Sequence, residues 1–234
     1  MLRAILFDFD GVIVDSEPLH FGAFLDVFEP LGYRFDFGEY QRDIIGFDDR
    51  DATRFLLTER LGRSYAQAGE LDAEAMTLIE RKQQCFLDRV QRTPAPMIPG
   101  AAALIDALKG RVPIAIASGA TREDIDAILA GLGRRDDFAV VVTADDVEKS
   151  KPHPQTYALA MERLSQHHGQ PLAPAECLAI EDSPAGLRAA QAAGAQTLGV
   201  TTTHPAGDLA LADRVVETLE GVTWERLIQW YSGG

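Results

Sequence analysis

Two aspartates separated by one residue follow a short apolar run near the amino terminus. Asp8 and Asp10 stand in the segment Phe7-Asp8-Phe9-Asp10-Gly11. Two carboxylates in one turn can chelate a hard divalent cation, and one can act as a nucleophile while the other transfers protons. The alternative interpretation is a polar turn that ends in glycine. An EF-hand is disfavoured, because Val12 stands where a third acidic ligand is needed.

A second polar site follows the apolar run at residues 112–117. Ser118-Gly119 offers a hydroxyl and adjacent backbone N–H groups just before a helical pattern. Such groups at a helix N-terminus bind anions, which makes Ser118 and Gly119 a candidate anion-binding site. The alternative interpretation is that Ser118 only caps the helix.

Two further polar segments follow apolar runs later in the chain. Lys151 precedes a proline in the loop after residues 138–142, and its ammonium can serve as a point charge for phosphate. Glu181-Asp182 ends the apolar run at 177–180, and acids at the end of a buried strand are costly unless they bind metal or are paired. The alternatives are a solvated lysine and an acidic helix cap.

The elements that must position these residues alternate between strands and helices. Each predicted strand is short and nearly continuous in apolar residues, as expected for strands buried on both faces of a parallel sheet. Helical spacing separates the strands and predicts an α/β fold, a doubly wound, Rossmann-like parallel sheet. The predicted strands are 5–7, 112–117, 138–142, 177–180, 196–200 and 214–216.

One long interval has only helical periodicity and predicts an inserted domain. Residues 16–91 lack a β-rich run, and the proline-rich segment 93–100 then stops any helix. We therefore expect a catalytic core of residues 1–15 and 92–234 and a helical cap domain of residues 16–91.

Composition excludes several classes of protein. The 234 residues carry a formal charge of -14, which disfavours nucleic-acid binding because that depends largely on Lys and Arg. The run before Asp8 is too short for a signal peptide, and no apolar stretch is long enough to span a membrane. Cys85 and Cys177 form no CxxC motif. We expect a cytoplasmic protein, and the absence of GxGxxG after the first strand excludes a Rossmann dehydrogenase.

Taken together, the four polar segments resemble the four motifs of the haloacid dehalogenase superfamily. Asp8-Phe9-Asp10-Gly11 is similar to motif one, Ser118 to motif two, Lys151 to motif three and Glu181-Asp182 to motif four. The helical insertion resembles the C1-type cap of that superfamily. The surrounding sequence is similar to the β-phosphoglucomutase and phosphoglycolate phosphatase branch.

The resemblance implies covalent phosphoryl transfer. Asp8 would take the phosphoryl group, and Asp10 would protonate the leaving oxygen and then activate water. Mg²⁺ would be held by the Asp8 carboxylate, the Asp10 backbone carbonyl and Asp182, with Glu181 directly or through water. Ser118, Gly119 and Lys151 would bind the phosphate. A non-catalytic binding protein is disfavoured, because binding alone has little use for a second aspartate placed for proton transfer.

The cap is expected to set substrate specificity. His20 corresponds to a histidine near the hinge in the β-phosphoglucomutase branch, although a half-buried helix histidine is the alternative. Residues 46–51 occupy the substrate-specificity loop of the cap. The arginine with which the similar mutases bind a second phosphate aligns with Asp49 of this chain, and only a one-residue shift of the alignment brings Arg50 to that position. We therefore expect a phosphatase of a small phosphorylated metabolite, a sugar phosphate or phosphoglycolate. A β-phosphoglucomutase-type phosphotransferase is the alternative, and we expect a monomer or weak dimer.

Overall fold

A computed structural model of the chain describes residues 2–45, 47 and 49–231. The chain divides into two compact units, a core unit of residues 1–15 and 95–234 and a helical unit of residues 16–94. The second boundary lies after Pro94 rather than Gln91, because the long helix before it continues to Arg92 and Thr93 N–H still bonds to the Arg89 carbonyl.

The core unit is built on a parallel sheet whose strand order is β3-β2-β1-β4-β5-β6. Its short strands are joined by crossovers, as parallel pairing requires. β1 pairs with β2 on one side and β4 on the other, with Phe7 opposite both Ile116 and Ile180. The bounds are β1 Ala4–Phe7, β2 Ile114–Ala117, β3 Val140–Val142, β4 Cys177–Glu181, β5 Gln196–Val200 and β6 Arg214–Val216.

Helices flank this sheet, and both faces of its central strands are buried. Alternate residues of β1, such as Leu6, pack with Tyr157 and Leu164 in one apolar cluster. Phe7 on the opposite face is also buried and meets Phe138 edge to face, with ring centroids 6.3 Å apart. The core helices are α5 Ala101–Leu108, α6 Arg122–Leu132, α7 Gln155–His168, α8 Pro184–Ala192 and α9 Trp224–Tyr231.

The helical unit has a core of its own. Helices α1 and α4 pack together, and the rings of Phe21 and Phe24 both lie against the ring of Tyr40, with centroids 5.5 and 6.2 Å away. A capping box, in which Asp36 and Glu39 bond to each other's backbone, starts the second helix. The bounds are α1 Glu17–Phe28, α2 Phe37–Asp43, α3 Asp49–Phe55 and α4 Ala68–Arg92.

The α/β fold with a Rossmann-like parallel sheet is confirmed, whereas one detail of the prediction is wrong. The sequence pattern predicted strands buried on both faces, but β3 and β6 are the edges of the sheet and Arg214 is exposed. An edge strand has a neighbour on one side only, so its apolar residues other than Val142 stay half covered. Among the described residues, no helix is both long enough and apolar enough to cross a bilayer.

Candidate active site

Three of the four predicted acidic residues meet where the strand order reverses. β1 lies between β2 and β4, so the crevice beyond the carboxyl ends of β1 and β4 is the switch point, where open α/β sheets bind ligands. Asp8 follows β1 directly, and its N–H bonds to the Ile180 carbonyl of β4 at 3.0 Å. Carboxylate oxygens of Asp8, Glu181 and Asp182 lie within 4.8 Å of one another.

Lys151 joins two of these carboxylates. Its Nζ lies 2.8 Å from Asp8 Oδ1 and 2.6 Å from Glu181 Oε1, and its side chain is only 11% exposed. The residue comes from the loop between β3 and α7, so folding brings it from a third segment of the chain. An ammonium has three protons, and these two contacts leave one for a third acceptor.

Glu181 is fully buried, and both of its carboxylate oxygens already accept hydrogen bonds. Lys151 Nζ and the Tyr157 hydroxyl, at 2.6 and 2.9 Å, donate to Oε1. The backbone N–H groups of Asp182 and Ser183, together with the Ser183 hydroxyl, donate to Oε2 at 3.0–3.1 Å. Glu181 therefore acts as an anchor that fixes Lys151 beside Asp8.

Crowding of negative charge changes the titration of the site. Burial, and next the charge of Glu181, raise the pKa of Asp8 to about 7, although Lys151 opposes the change. The same two causes raise the pKa of Asp182 to about 7. Burial alone would lower the pKa of Lys151, but the neighbouring Asp8 and Glu181 carboxylates raise it above its ordinary value.

These charges suit a divalent cation. Three buried carboxylates face one ammonium, so negative charge in the cluster exceeds the positive charge that the described residues supply. Carboxylate oxygens are the ligands preferred by hard cations such as Mg²⁺. The donor set therefore fits a divalent metal, with Asp8 and Asp182 able to offer oxygens to it.

The remaining predicted core residues lie at the same edge of the sheet. Ser118 follows β2 and is buried, and its Oγ accepts a hydrogen bond from Ala120 N–H at 3.0 Å. Gly119 beside it is exposed. Ser118 does not cap α6, because Thr121 is the residue whose side chain accepts from Asp124 N–H there. Asp10 is half-buried in the turn after Asp8, and its side chain is outside the acidic cluster of the described residues.

Both predicted cap residues, His20 and Arg50, lie in the helical unit. His20 stacks on Phe86 with centroids 4.2 Å apart, and its Nδ1 lies 2.9 Å from Lys82 Nζ. Burial, with a contribution from Lys82, lowers the pKa of His20 well below its ordinary value. Arg50 is exposed and contacts the Met76 thioether at 3.8 Å.

The specificity loop is described only in part. Gly46 and Asp48 lie outside the described residues. Asp49, where the resemblance to the mutases would place a phosphate-binding arginine, accepts hydrogen bonds from Lys82 Nζ with both carboxylate oxygens at 2.8 Å. Lys82 is only 1% exposed, so this pair is buried on the lysine side.

Sequence reasoning missed three residues that contact the predicted ones. Tyr157 gave no signal, because a hydroxyl on the apolar stripe of a helix looks like ordinary packing. Lys82 did give a signal in the sequence, because this lysine stands in register with the apolar positions Leu78 and Phe86 of α4. Thr203 gave one too: it follows a predicted strand, as the other site residues do, and its Oγ1 lies 2.5 Å from Asp182 Oδ2.

Comparison with known proteins supplies the family. The model of the haloacid dehalogenase-like hydrolases matches residues 2–194. The chain belongs to this family of enzymes. It is 30% identical to validoxylamine A 7'-phosphate phosphatase of Streptomyces hygroscopicus subsp. limoneus, covering 97% of this chain and 99% of the relative. It is also 30% identical to β-phosphoglucomutase of Bacillus subtilis, covering 97% of this chain and 94% of that relative.

A solved structure of the family resembles the fold throughout. The crystal structure of CbbY from Rhodobacter sphaeroides in complex with phosphate has a TM-score of 0.77 and 27% identity, covering 95% of this chain and 96% of that one. The predicted superfamily is thereby confirmed.

Proposed function

We propose that this hydrolase is a Mg²⁺-dependent phosphatase that cleaves the phosphate monoester of a small metabolite, a sugar phosphate or a phosphoglycolate-like compound. The observation that carries the proposal is the convergence of Asp8, Lys151 and Asp182 at the switch point of the sheet. A nucleophilic carboxylate, an ammonium and a metal-binding acid are the groups that phosphoryl transfer requires, because it depends mainly on positioning and charge neutralisation.

Asp8 is the nucleophile in this proposal. A carboxylate oxygen of Asp8 attacks phosphorus and forms an aspartyl-phosphate, while the bond to the leaving alkoxide breaks. Lys151 Nζ, fixed by Glu181, donates its third proton to a phosphate oxygen, and Ser118 with the Gly119 N–H supplies further donors. When bound, Mg²⁺ supplies positive charge that offsets repulsion between the acidic cluster and the phosphate.

Asp10 completes both half-reactions. Its carboxylic acid gives a proton to the leaving oxygen, and the resulting carboxylate takes a proton from the water that attacks the aspartyl-phosphate. Phosphate leaves and Asp8 regains its carboxylate. The assignment of Asp10 comes from the resemblance of its motif to that of the superfamily, and its place two residues after Asp8 supports it.

The test is release of inorganic phosphate from a panel of phosphorylated metabolites. We expect turnover with Mg²⁺, loss of turnover with EDTA and recovery when Mg²⁺ is restored. A full panel without phosphate release, at saturating Mg²⁺ and with folded protein, would overturn the proposal. A cytoplasmic location and a monomeric or weakly dimeric state stay predictions.

A β-phosphoglucomutase-type phosphotransferase is the second candidate, because the identity to the Bacillus subtilis mutase equals that to the phosphatase. The cap argues against it, because Asp49 is engaged by Lys82 where the mutases carry an arginine for a second phosphate. Incubation with β-glucose 1-phosphate separates the candidates: a phosphatase releases phosphate, whereas a mutase forms glucose 6-phosphate.

A further inference from the structure

The loop after β5 holds the carboxylate of Asp182 from one side. Thr203 Oγ1 lies 2.5 Å from Asp182 Oδ2, and His204 Nδ1 lies 3.0 Å from the Asp182 carbonyl oxygen. The single hydroxyl proton of Thr203 is donated to the carboxylate, and the Nδ1 proton of His204 is assigned to the carbonyl. Two neighbouring side chains thus fix both the backbone and the side chain of Asp182.

Gly11 packs against the same carboxylate oxygen. A Cβ at Gly11 would lie 1.9 Å from Asp182 Oδ2 and 3.1 Å from Thr203 Cγ2, so nothing larger than glycine fits. Its φ of +75° also favours glycine. Oδ2 is therefore enclosed by Gly11 and Thr203, and Oδ1 is the oxygen left to face a metal.

We propose that Thr203 is a positioning residue for metal binding: its hydroxyl occupies Asp182 Oδ2 and so presents Oδ1 alone to the cation. The inference rests on the proposed function, because it needs a divalent metal at the acidic cluster. Mg²⁺ demands near-ideal octahedral geometry and is bound by few carboxylates, so a fixed, single-oxygen ligand suits it.

A role of Thr203 in packing does not explain this contact. The residue is exposed, whereas its hydroxyl reaches a carboxylate that is 5% exposed. Removing the hydroxyl should therefore leave the fold intact while freeing Asp182 to rotate. Loss of a group that orients a metal ligand typically weakens metal affinity about 10- to 100-fold.

The test measures binding of Mg²⁺ and of Mn²⁺ to the full chain by isothermal titration calorimetry. We expect Thr203→Val and Thr203→Ala to raise the Kd by at least about 10-fold, whereas Thr203→Ser keeps the hydroxyl and stays within about 3-fold of the unaltered protein. Thr202→Val is the matched control, because it makes the same change at the exposed neighbouring residue. Circular dichroism checks that each variant is folded.

Different failures have different meanings. If the unaltered protein binds Mg²⁺ and Thr203→Ala binds it equally well, the role of Thr203 is wrong and the proposed function stands. Weakening by Thr203→Val alone would point to steric clash, and it too overturns the inference. If the unaltered protein binds neither cation, both the proposed metal-dependent function and the inferred role of Thr203 are wrong.

Discussion

Replacing Gly186 with alanine should break the anchor beneath Lys151. Gly186 lies in the first turn of α8, and an added Cβ would stand 1.6 Å from Glu181 Oε1. Because real Cβ contacts are essentially never below 3.0 Å, the carboxylate must retreat by roughly 1.4 Å. The 2.6 Å bond from Lys151 to Glu181 and the 2.9 Å bond from Tyr157 cannot survive that displacement.

The cost follows from the bonds that are lost. A hydrogen bond to a charged group contributes about 1.5–3 kcal/mol, and breaking a buried ion pair costs about 3–5 kcal/mol. Alanine recovers about 1 kcal/mol over glycine within a helix. We therefore expect Gly186→Ala to lower the free energy of unfolding by about 3.5–7 kcal/mol, the two losses less the gain of alanine, and to reduce kcat, because Lys151 loses its support.

Urea unfolding in EDTA measures this change without a contribution from bound metal. The two tryptophans, Trp224 and Trp230, both belong to the core unit, so their fluorescence reports on the unit that contains Gly186. Gly207→Ala is the matched control: nothing lies within 4 Å of its added Cβ, and we expect a gain of at most about 1 kcal/mol. If the two variants were equally stable, Glu181 would not be anchored as described.

Three further predictions concern the nucleophile, the metal and the buried lysine. Asp8→Asn should keep its circular dichroism spectrum yet retain less than about 1% of phosphatase activity, because the proposed mechanism uses its carboxylate as the nucleophile. Mg²⁺ affinity, measured by calorimetry, should fall as the pH drops below 7, because Asp8 and Asp182 have raised pKa values and protons then compete with the metal. Asp49→Asn should destabilise the protein to urea by about 3–5 kcal/mol, and Lys82→Met by less, because only the first leaves a buried charge without its partner.

The pH prediction also fixes the sign of a stability change. A carboxyl whose pKa is raised on folding binds more protons in the native state, so without metal the contribution of Asp8 and Asp182 to the free energy of unfolding falls as pH rises from about 4 to about 7. Bound Mg²⁺ should offset that fall, and the difference in Tm between Mg²⁺ and EDTA should grow across this range. A difference in Tm that stays constant over this range would contradict the raised pKa values of Asp8 and Asp182.

The other two predictions can fail as well. Asp8→Asn with normal turnover would exclude covalent catalysis at Asp8. Equal losses of stability in Asp49→Asn and Lys82→Met would contradict the argument that only the first leaves a buried charge without its partner.

The meeting of the site residues at one edge of the sheet could be predicted, because it depends only on the direction of the strands. In a parallel sheet all carboxyl ends meet at one edge, so polar residues directly after apolar runs must come together there. Asp8, Ser118 and Glu181 follow that rule, and Lys151 lies only one loop further on. The same rule, applied after residues 196–200, points to Thr201-Thr202-Thr203 but does not select Thr203 among them.

The sequence could not predict that Glu181 and Asp182 have different surroundings, with Glu181 fixing Lys151 and Asp182 able to offer an oxygen to a metal. Both residues are acids at the end of one strand, and the motif places them together as metal ligands. The structure distinguishes them through their neighbours: Glu181 lies among donors that include Tyr157 of α7, whereas Asp182 meets Thr203 from the loop after β5. Those contacts depend on how α7 packs on the sheet and on the path of that loop, which local periodicity does not encode.

The negative charge of the site opposes the binding of an anionic substrate. The chain carries -14 overall, and even at the switch point three carboxylates outnumber the single ammonium of Lys151. Repulsion from distant charges is screened beyond about 8 Å at physiological salt, but repulsion within the cluster is not. A phosphate could not displace water there on the strength of Lys151 alone. If the chain binds a phosphate as proposed, substrate binding itself therefore needs a divalent cation, before any chemical step is considered.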